Sequence, residues 1–323
     1  MSIRKVLLAS LTLLVATAAT AHAQDWPQQR PVKIIVPFAP GGNADGMARI
    51  VSARFNEVFG QQFVVENRTG AGGAIAVEGV ARSPADGYTL LWGVQPQIVI
   101  LPAMTKVAYD PVKDLVPISV LGTNPFVLVV NGRLPVKTVA EFVAWGRAQP
   151  TKLSYGSSGL GSVAQLAMAL FLKRADLDMT AVHYRGNAPA LADVVAGHVP
   201  AMFSSLADAL PQITSGNVRA LAVSGGARAS QLPNVPTVAE AGYSGYSVVT
   251  WNGLMAPAAT PQPIVDRIAA EFARAVKERA FADRLTAYGV DPLGNTPAEF
   301  AALIAAEIPL WIEAVNLAGA KIP

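Results

Sequence analysis

The sequence predicts an α/β protein of two domains, each a mixed, mostly parallel sheet flanked by helices. Short β-branched runs alternate with alanine-rich stretches of helical period through most of the chain, and that alternation is how parallel sheets are assembled. The last third, from PIVDRIAAEFARAVKERAF onward, is almost wholly helical by period, so its apolar faces need a sheet made elsewhere and are expected to return to the N-terminal domain. The chain has 323 residues and no cysteine. It must hold together by core burial alone, for which its length suits two domains.

The elements follow in order. Arg4 and Lys5 precede an uncharged, largely apolar run that ends in Ala21-His22-Ala23. The apolar core of that run is shorter than the roughly 20 residues a membrane span requires, so residues 1–23 read as an export signal rather than an anchor. Strands are expected at VKIIVPF, FVVEN, YTLLWG, FVLVVN, LSYGS, AVHY, PAMFSS and VRALAVSG. A helix over 45–58 is closed by Gly60, where a left-handed cap suits glycine, and a second spans 163–174. A third starts at Pro189, with Asn187 as its cap, and stops at Gly197.

Charge and motif counts exclude several classes. Removing Arg4 and Lys5 from a formal charge of +3 leaves +1, and no lysine or arginine block offers a phosphate-binding footprint, so nucleic acid is not an expected partner. The exported part has no run of 18 apolar residues, and a soluble protein is expected. Beyond His22 only His183 and His198 remain, with no zinc spacing. No Gly-x-Ser-x-Gly elbow surrounds Ser157 or Ser158, GAGGAIAVEG lacks the third glycine of a dinucleotide loop, and no Walker lysine occurs. No metal, cofactor or catalytic residue is predicted, and the chain is not expected to be an enzyme.

Three glycine-rich turns pass from a strand into a helix. They are PFAPGGNADG, NRTGAGGAIAVEG with Gly70, Gly72 and Gly73, and SYGSSGLGSVAQL with Gly156, Ser157, Ser158, Gly159, Gly161 and Ser162. The first amides of a helix lack intrahelical partners and lie at the positive end of its dipole, so such turns suit an anion such as a carboxylate. Asp45 has two readings: a first-turn charge or cap, or an acceptor for a hydroxyl, ammonium or water beside the ligand. In HYRGNAPALADVVAG, Arg185 could pair with a carboxylate or line a solvated rim. Phe38 and Trp251 could wall a cleft or belong to the core, and Asp193 reads as structural.

The segments VPFAPGGNAD, VVENRTGAGG with ADGYTLLWG, YDPVKDLVPIS, LSYGSSGLGS, HYRGNAPALADVVAGHV, LPNVPTVAEAGY and WNGLMAPAATP occur in that order. In them the chain resembles the Bug-type extracytoplasmic solute receptors of tripartite tricarboxylate transporters. The resemblance implies a type II-like periplasmic binding protein with residues 24–124 and 248–323 in one domain, 125–247 inserted as the second, and a hinge near 123–126 and 246–251. It implies a small carboxylate held in a central cleft by Phe38, Gly41, Gly42, Asn43 and Asp45 from the first loop. Opposite stand Ser157, Ser158 and Ser162, then Arg185, Gly186 and Ala188, with Gly72 and Gly73 nearby. Many relatives carry Asp-Asn where this chain has Ser204 and Ser205, and Thr-His where it has Gln97-Ile98. Both departures predict a less charged distal pocket, hence a ligand with one held carboxylate and an uncharged or aromatic remainder. A periplasmic monomer that passes its ligand transiently to membrane transporter subunits is expected, the alternative being a receptor that informs a sensor kinase.

Overall fold

The computed structural model describes residues 26–322, so the export signal read over residues 1–23 lies outside the described residues. The first half begins with β1 (Val32–Val36), α1 (Asn43–Phe59), β2 (Phe63–Asn67), α2 (Ala74–Ala81) and β3 (Thr89–Val94). β1 pairs parallel with β2 and with β3. A short helical segment over residues 96–104 then leads to β4 (Leu115–Asn131), a strand of 17 residues that runs from the first half into the second.

The second half adds α4 (Val139–Arg147), with α3 being the single turn Leu101–Met104, then β5 (Leu153–Ser157), α5 (Val163–Ala175), β6 (Met179–His183), α6 (Asn187–Ala196), β7 (Ala201–Ser205), α7 (Leu206–Thr214) and β8 (Val218–Val223). The chain returns through β9 (Val249–Pro257), α8 (Gln262–Ala275), α9 (Arg279–Thr286), the short β10 (Asp291–Pro292) and α10 (Pro297–Leu317). Hydrogen-bonded neighbours run β2-β1-β3-β9-β4-β7-β5-β6, with β8 and β10 also on β4. The result is a curled mixed sheet flanked by helices. The first half of β4 pairs with β9 and the second half with β7 and β8, so this one strand joins the two halves.

Each of the eight runs read as strands overlaps a strand, with up to two residues outside it at its ends. β9 has no counterpart among them, because TWNGLMAP mixes polar, glycine and proline residues that depress strand propensity. Its glycine is required by packing: a Cβ on Gly253 would lie 2.5 Å from the Ser119 carbonyl oxygen on β4. α1 begins at Asn43 and ends against Gly60 at φ +63°. α6 starts at Asn187, not Pro189, and its N-cap is Gly186, so the expectation of an Asn187 cap is corrected.

Three apolar clusters form the core. One, with Trp26, Phe55, Phe59 and Phe63, packs β1 and α1 against Ile264, Ile268 and Phe272 of α8. A second lies beneath α6 and α7. The largest crosses from Ile35 and Leu91 to Leu166, Phe171 and Phe203 and includes Phe300, Ile304, Trp311 and Val315 of α10. α10 therefore returns to the first half and also touches the second, where Gln165 Nε2 donates to the Ala318 carbonyl at 3.4 Å. It has 21 residues, and an 18-residue window of it has a mean hydropathy of 1.5, so by length and composition alone it could cross a membrane. Glu299, Glu307 and Glu313 interrupt it, so it contains no uninterrupted run of 18 apolar residues, and its apolar stripe is spent on the core.

Candidate functional site

The register fixes where the two halves meet. Val94, at the carboxyl end of β3, is opposite Asn252, and Asn252 is opposite Gly122 on β4. Four residues further along β4, Phe126 pairs with Ser205, the carboxyl end of β7, and β5 and β6 run parallel with β7. The carboxyl edges of both half-sheets thus converge on residues 122–126, the position at which open α/β sheets accept ligands.

A cavity of about 460 Å³ opens there, within the range of small-molecule sites. Phe38, Gly42 and Ala44 line it from the first half, and Ser205, Leu206 and Asp208 from the second. Pro125 and Phe126 with Asn124, Thr250 and Asn252 form its floor, and Tyr288 and Gly289 complete it. The floor amides are fixed by protein partners. Trp92 Nε1 donates to Asn252 Oδ1 at 3.3 Å, Asn252 Nδ2 to Asn124 Oδ1 at 3.2 Å, and Asn124 Nδ2 to the Gly289 carbonyl at 2.8 Å. The Tyr288 ring lies over Gly46, where a Cβ would come within 2.5 Å of its hydroxyl.

The first loop is held by Asp45. Its Oδ2 accepts from the Gly41 amide at 2.9 Å and from Arg49 Nε at 3.0 Å; its Oδ1 accepts from Arg49 Nη2 and Asn67 Nδ2, each at 3.0 Å. Asn67 Nδ2 also donates to the Phe38 carbonyl at 2.9 Å. Gly41 sits at φ +86°, which explains a glycine there. The Arg49 guanidinium and the Gly41 and Asn67 donors hold the Asp45 carboxyl down at about 2, against the opposing effect of burial. Asp45 stands in the first turn of α1, as the first of its two readings has it, and there it clamps the loop, since both oxygens accept from protein donors. Gly42, the N-cap of α1, has no side-chain cap hydrogen bond. Asn43 is the first residue of that helix.

The second half repeats this construction. Ser162 caps α5, accepting from the Gln165 amide, while Gln165 Oε1 reaches back to the Gly161 amide at 2.7 Å. Ser157 is buried, exchanges hydrogen bonds with Gly159 and lies 3.2 Å from His183 Nδ1. The Ser158 carbonyl accepts from the Gly186 amide at 3.1 Å. Arg185 and Ala188 are exposed, and Arg185 forms no ion pair among the described residues. Asn187 Nδ2 donates to Ser204 Oγ at 2.9 Å and to Asp208 Oδ2 at 2.8 Å, joining this loop to the cavity wall.

The predicted residues therefore separate. Phe38, Gly42 and Ser205 line the cavity; Asp45, Ser204 and Gly186 brace its walls; Ser157, Ser158, Ser162, Arg185 and Ala188 occupy the same carboxyl edge outside it. Gly72, Gly73 and Gln97 contact one another instead: Gln97 Nε2 donates to the Gly72 carbonyl at 2.9 Å, and a Cβ on Gly73 would meet Gln97 Cγ at 2.6 Å. Trp251 belongs to the core, its indole donating to Glu307 at 2.9 Å. The cavity lining carries one charged residue, Asp208, three residues beyond Ser205, which the sequence reading did not single out. The Ser-x-x-Asp spacing of 205–208 was its signal in the sequence, since Asp208 N donates to Ser205 Oγ at 3.3 Å in the manner of a helix cap.

A sequence profile described as tripartite tricarboxylate transporter family receptor matches residues 47–317. Protein BugT of Bordetella pertussis is 37% identical over 321 residues, covering 98% of each chain. R. palustris Rpa4515, solved with adipate, is 36% identical with a TM-score of 0.74 over 92% of this chain and 100% of that one. A TctC solute-binding protein from Polaromonas, solved without ligand, is 27% identical but has a TM-score of 0.83 over 90% of this chain and 99% of that one. The chain belongs to the tripartite tricarboxylate transporter receptor family, and is a solute-binding protein of the Bug type.

Proposed function

We propose that this protein captures a small organic carboxylate between its two halves in the periplasm and delivers it to a tripartite tricarboxylate-type membrane transporter. The observation that carries this reading is the convergence of both carboxyl edges on one cavity, where the N-terminus of α1 enters uncapped by any side chain. The first amides of α1, which take no side-chain cap from Gly42, hold a carboxylate there, and no lysine or arginine lines the wall. The protein acts by reversible binding, not by turnover, as a monomer and without a cofactor. Residues 24–124 with 248–323 form one moving body and 125–247 the other, hinged where β4 and β9 cross between them. The higher TM-score to the unliganded Polaromonas protein, despite its lower identity, supports an open form. Ligand binding needs only a few kcal/mol of preference for the closed form to shift the population.

Residues 1–23 supply the export signal. Adipate bound to the Rpa4515 relative supports the carboxylate, and the apolar wall of Phe38, Pro125, Phe126 and Leu206 supports an uncharged middle to the ligand. Native mass spectrometry of the protein purified from the periplasm tests the reading. A co-purifying organic acid is expected, and a ligand without a carboxylate would overturn it.

A further inference from the structure

The two walls of the cavity differ in what they offer an ionic ligand. On the first wall the α1 N-terminus is capped by Gly42, which contributes no side-chain oxygen. On the second, the α7 N-terminus is already taken: Ser205 Oγ accepts from the Asp208 amide, and its hydroxyl donates to Asp208 Oδ2 at 2.8 Å. Asn187 Nδ2 donates to the same carboxylate oxygen at 2.8 Å. Among the described residues its side-chain partners are both on Oδ2, Oδ1 accepts from no side chain, and no lysine or arginine pairs with Asp208. The cavity lining itself contains no cation and no other acid. Asp208 is itself exposed at the cavity wall, and a carboxylate there, held in place by two neutral donors, repels a second anion and attracts a hydrogen-bond donor.

We propose that Asp208 is the specificity residue for the far end of the ligand, so that the substrate class is a monocarboxylate bearing a distal ammonium or hydroxyl donor rather than a dicarboxylate. The inference rests on the receptor reading above and gives the bound molecule a direction. Its carboxylate meets the α1 N-terminus at Gly42 and Ala44, and its donor meets Asp208 Oδ1. Ser204 and Asn187 are positioning residues for this acid, since Asn187 bridges Ser204 Oγ and Asp208 Oδ2. An acid is thus present in the wall although neither Ser204 nor Ser205 supplies one.

The test is isothermal titration calorimetry with matched four- and six-carbon acids that differ only at the far end: methyl, hydroxyl, ammonium or carboxylate. In the six-carbon set these are hexanoate, 6-hydroxyhexanoate, 6-aminohexanoate and adipate. Wild type is expected to bind the amino or hydroxy acid at least tenfold more tightly than the dicarboxylate of equal length. Asp208→Asn keeps a side-chain acceptor for Asn187 and is expected to improve dicarboxylate affinity at least tenfold while abolishing the preference for ammonium. Asp208→Ser leaves the Ser205 cap in place and provides the same readout, should the asparagine variant unfold. A dicarboxylate that binds wild type as tightly as its amino analogue, or ratios unchanged in both folded variants, overturns the inference and leaves the receptor reading intact. No binding of any member by folded wild type overturns both.

Discussion

Replacing Asp45 by asparagine isolates the electrostatics of the first binding loop. The carboxyl is held at about 2 against an ordinary 3.8, so the folded protein binds its proton less readily than the unfolded chain does. The resulting stabilisation is complete above about pH 4 and is lost as pH falls through 2. The difference corresponds to about 2 kcal/mol, an upper figure because the Arg49 side chain is 54% exposed and solvent screens its share. In a chain of this size that is worth about 4 °C in Tm. Thermal unfolding of wild type and Asp45→Asn between pH 2 and 7 should show that gap at neutral pH and its closure toward pH 2. Ligand affinity should fall at pH 7 as well, because Asp45 anchors Gly41 and shares Asn67 with the Phe38 carbonyl. A stability gap of constant size across the pH range would refute the electrostatic account.

Three further predictions follow from the same geometry. A Cβ on Gly42 would meet nothing closer than the Ala39 carbonyl oxygen at 3.8 Å, so Gly42→Val should fold yet lose at least tenfold in ligand affinity by calorimetry; unchanged affinity would count against the α1 anion site. Burial raises the Glu307 carboxyl to about 7 from 4.5, despite donors from Trp251, Trp311 and Gln95. Stability should therefore decline as pH rises from about 4.5 through 7, and Glu307→Gln should remove that slope and be the more stable form at pH 8 by up to about 3 kcal/mol in urea unfolding. Gly253→Ala places a methyl 2.5 Å from the Ser119 oxygen and 3.0 Å from Val120 Cα; strand separation should cost more than about 2 kcal/mol, read as a lowered Tm.

The sequence was legible where periodicity and punctuation agreed. Eight apolar runs became strands, Gly60 and Gly197 closed their helices in the left-handed region, and the glycine-rich turns lie at carboxyl strand ends. β9 was hidden because its residues are chosen for close approach to β4, not for strand propensity. The site was half legible. Phe38 and Gly42 sit on a local motif, whereas Asn124, Thr250, Asn252 and Tyr288 enter the cavity only through pairings and packing across long sequence separations. Ser205 and Asp208 have the spacing of a helix cap and its first-turn acid, but the place of Asp208 in the cavity depends on β7 ending beside Phe126, a fact of register that no local pattern contains.

That junction also bears on how the proposed closure is limited. Ser224 is fully buried, its Oγ accepts from the Phe126 amide at 2.8 Å, and its hydroxyl donates to the Val248 carbonyl. Val248 N in turn donates to the Ser224 carbonyl at 2.8 Å. The outgoing strand at 126 and the returning segment at 248 are therefore tied to one another on the second-half side of the crossing, while Asn124 and Thr250 are tied on the first-half side, where Thr250 Oγ1 donates to the Asn124 carbonyl at 3.3 Å. Between these two ties only Pro125 and Val249 face each other. Proline has no backbone N–H to donate, so a bend at this step costs no hydrogen bond from residue 125. Rotation of the second half about that point would carry Ser205 and Asp208 toward or away from Phe38 and Gly42 without parting the strands, so a ligand bridging the two walls acts directly on the hinge coordinate.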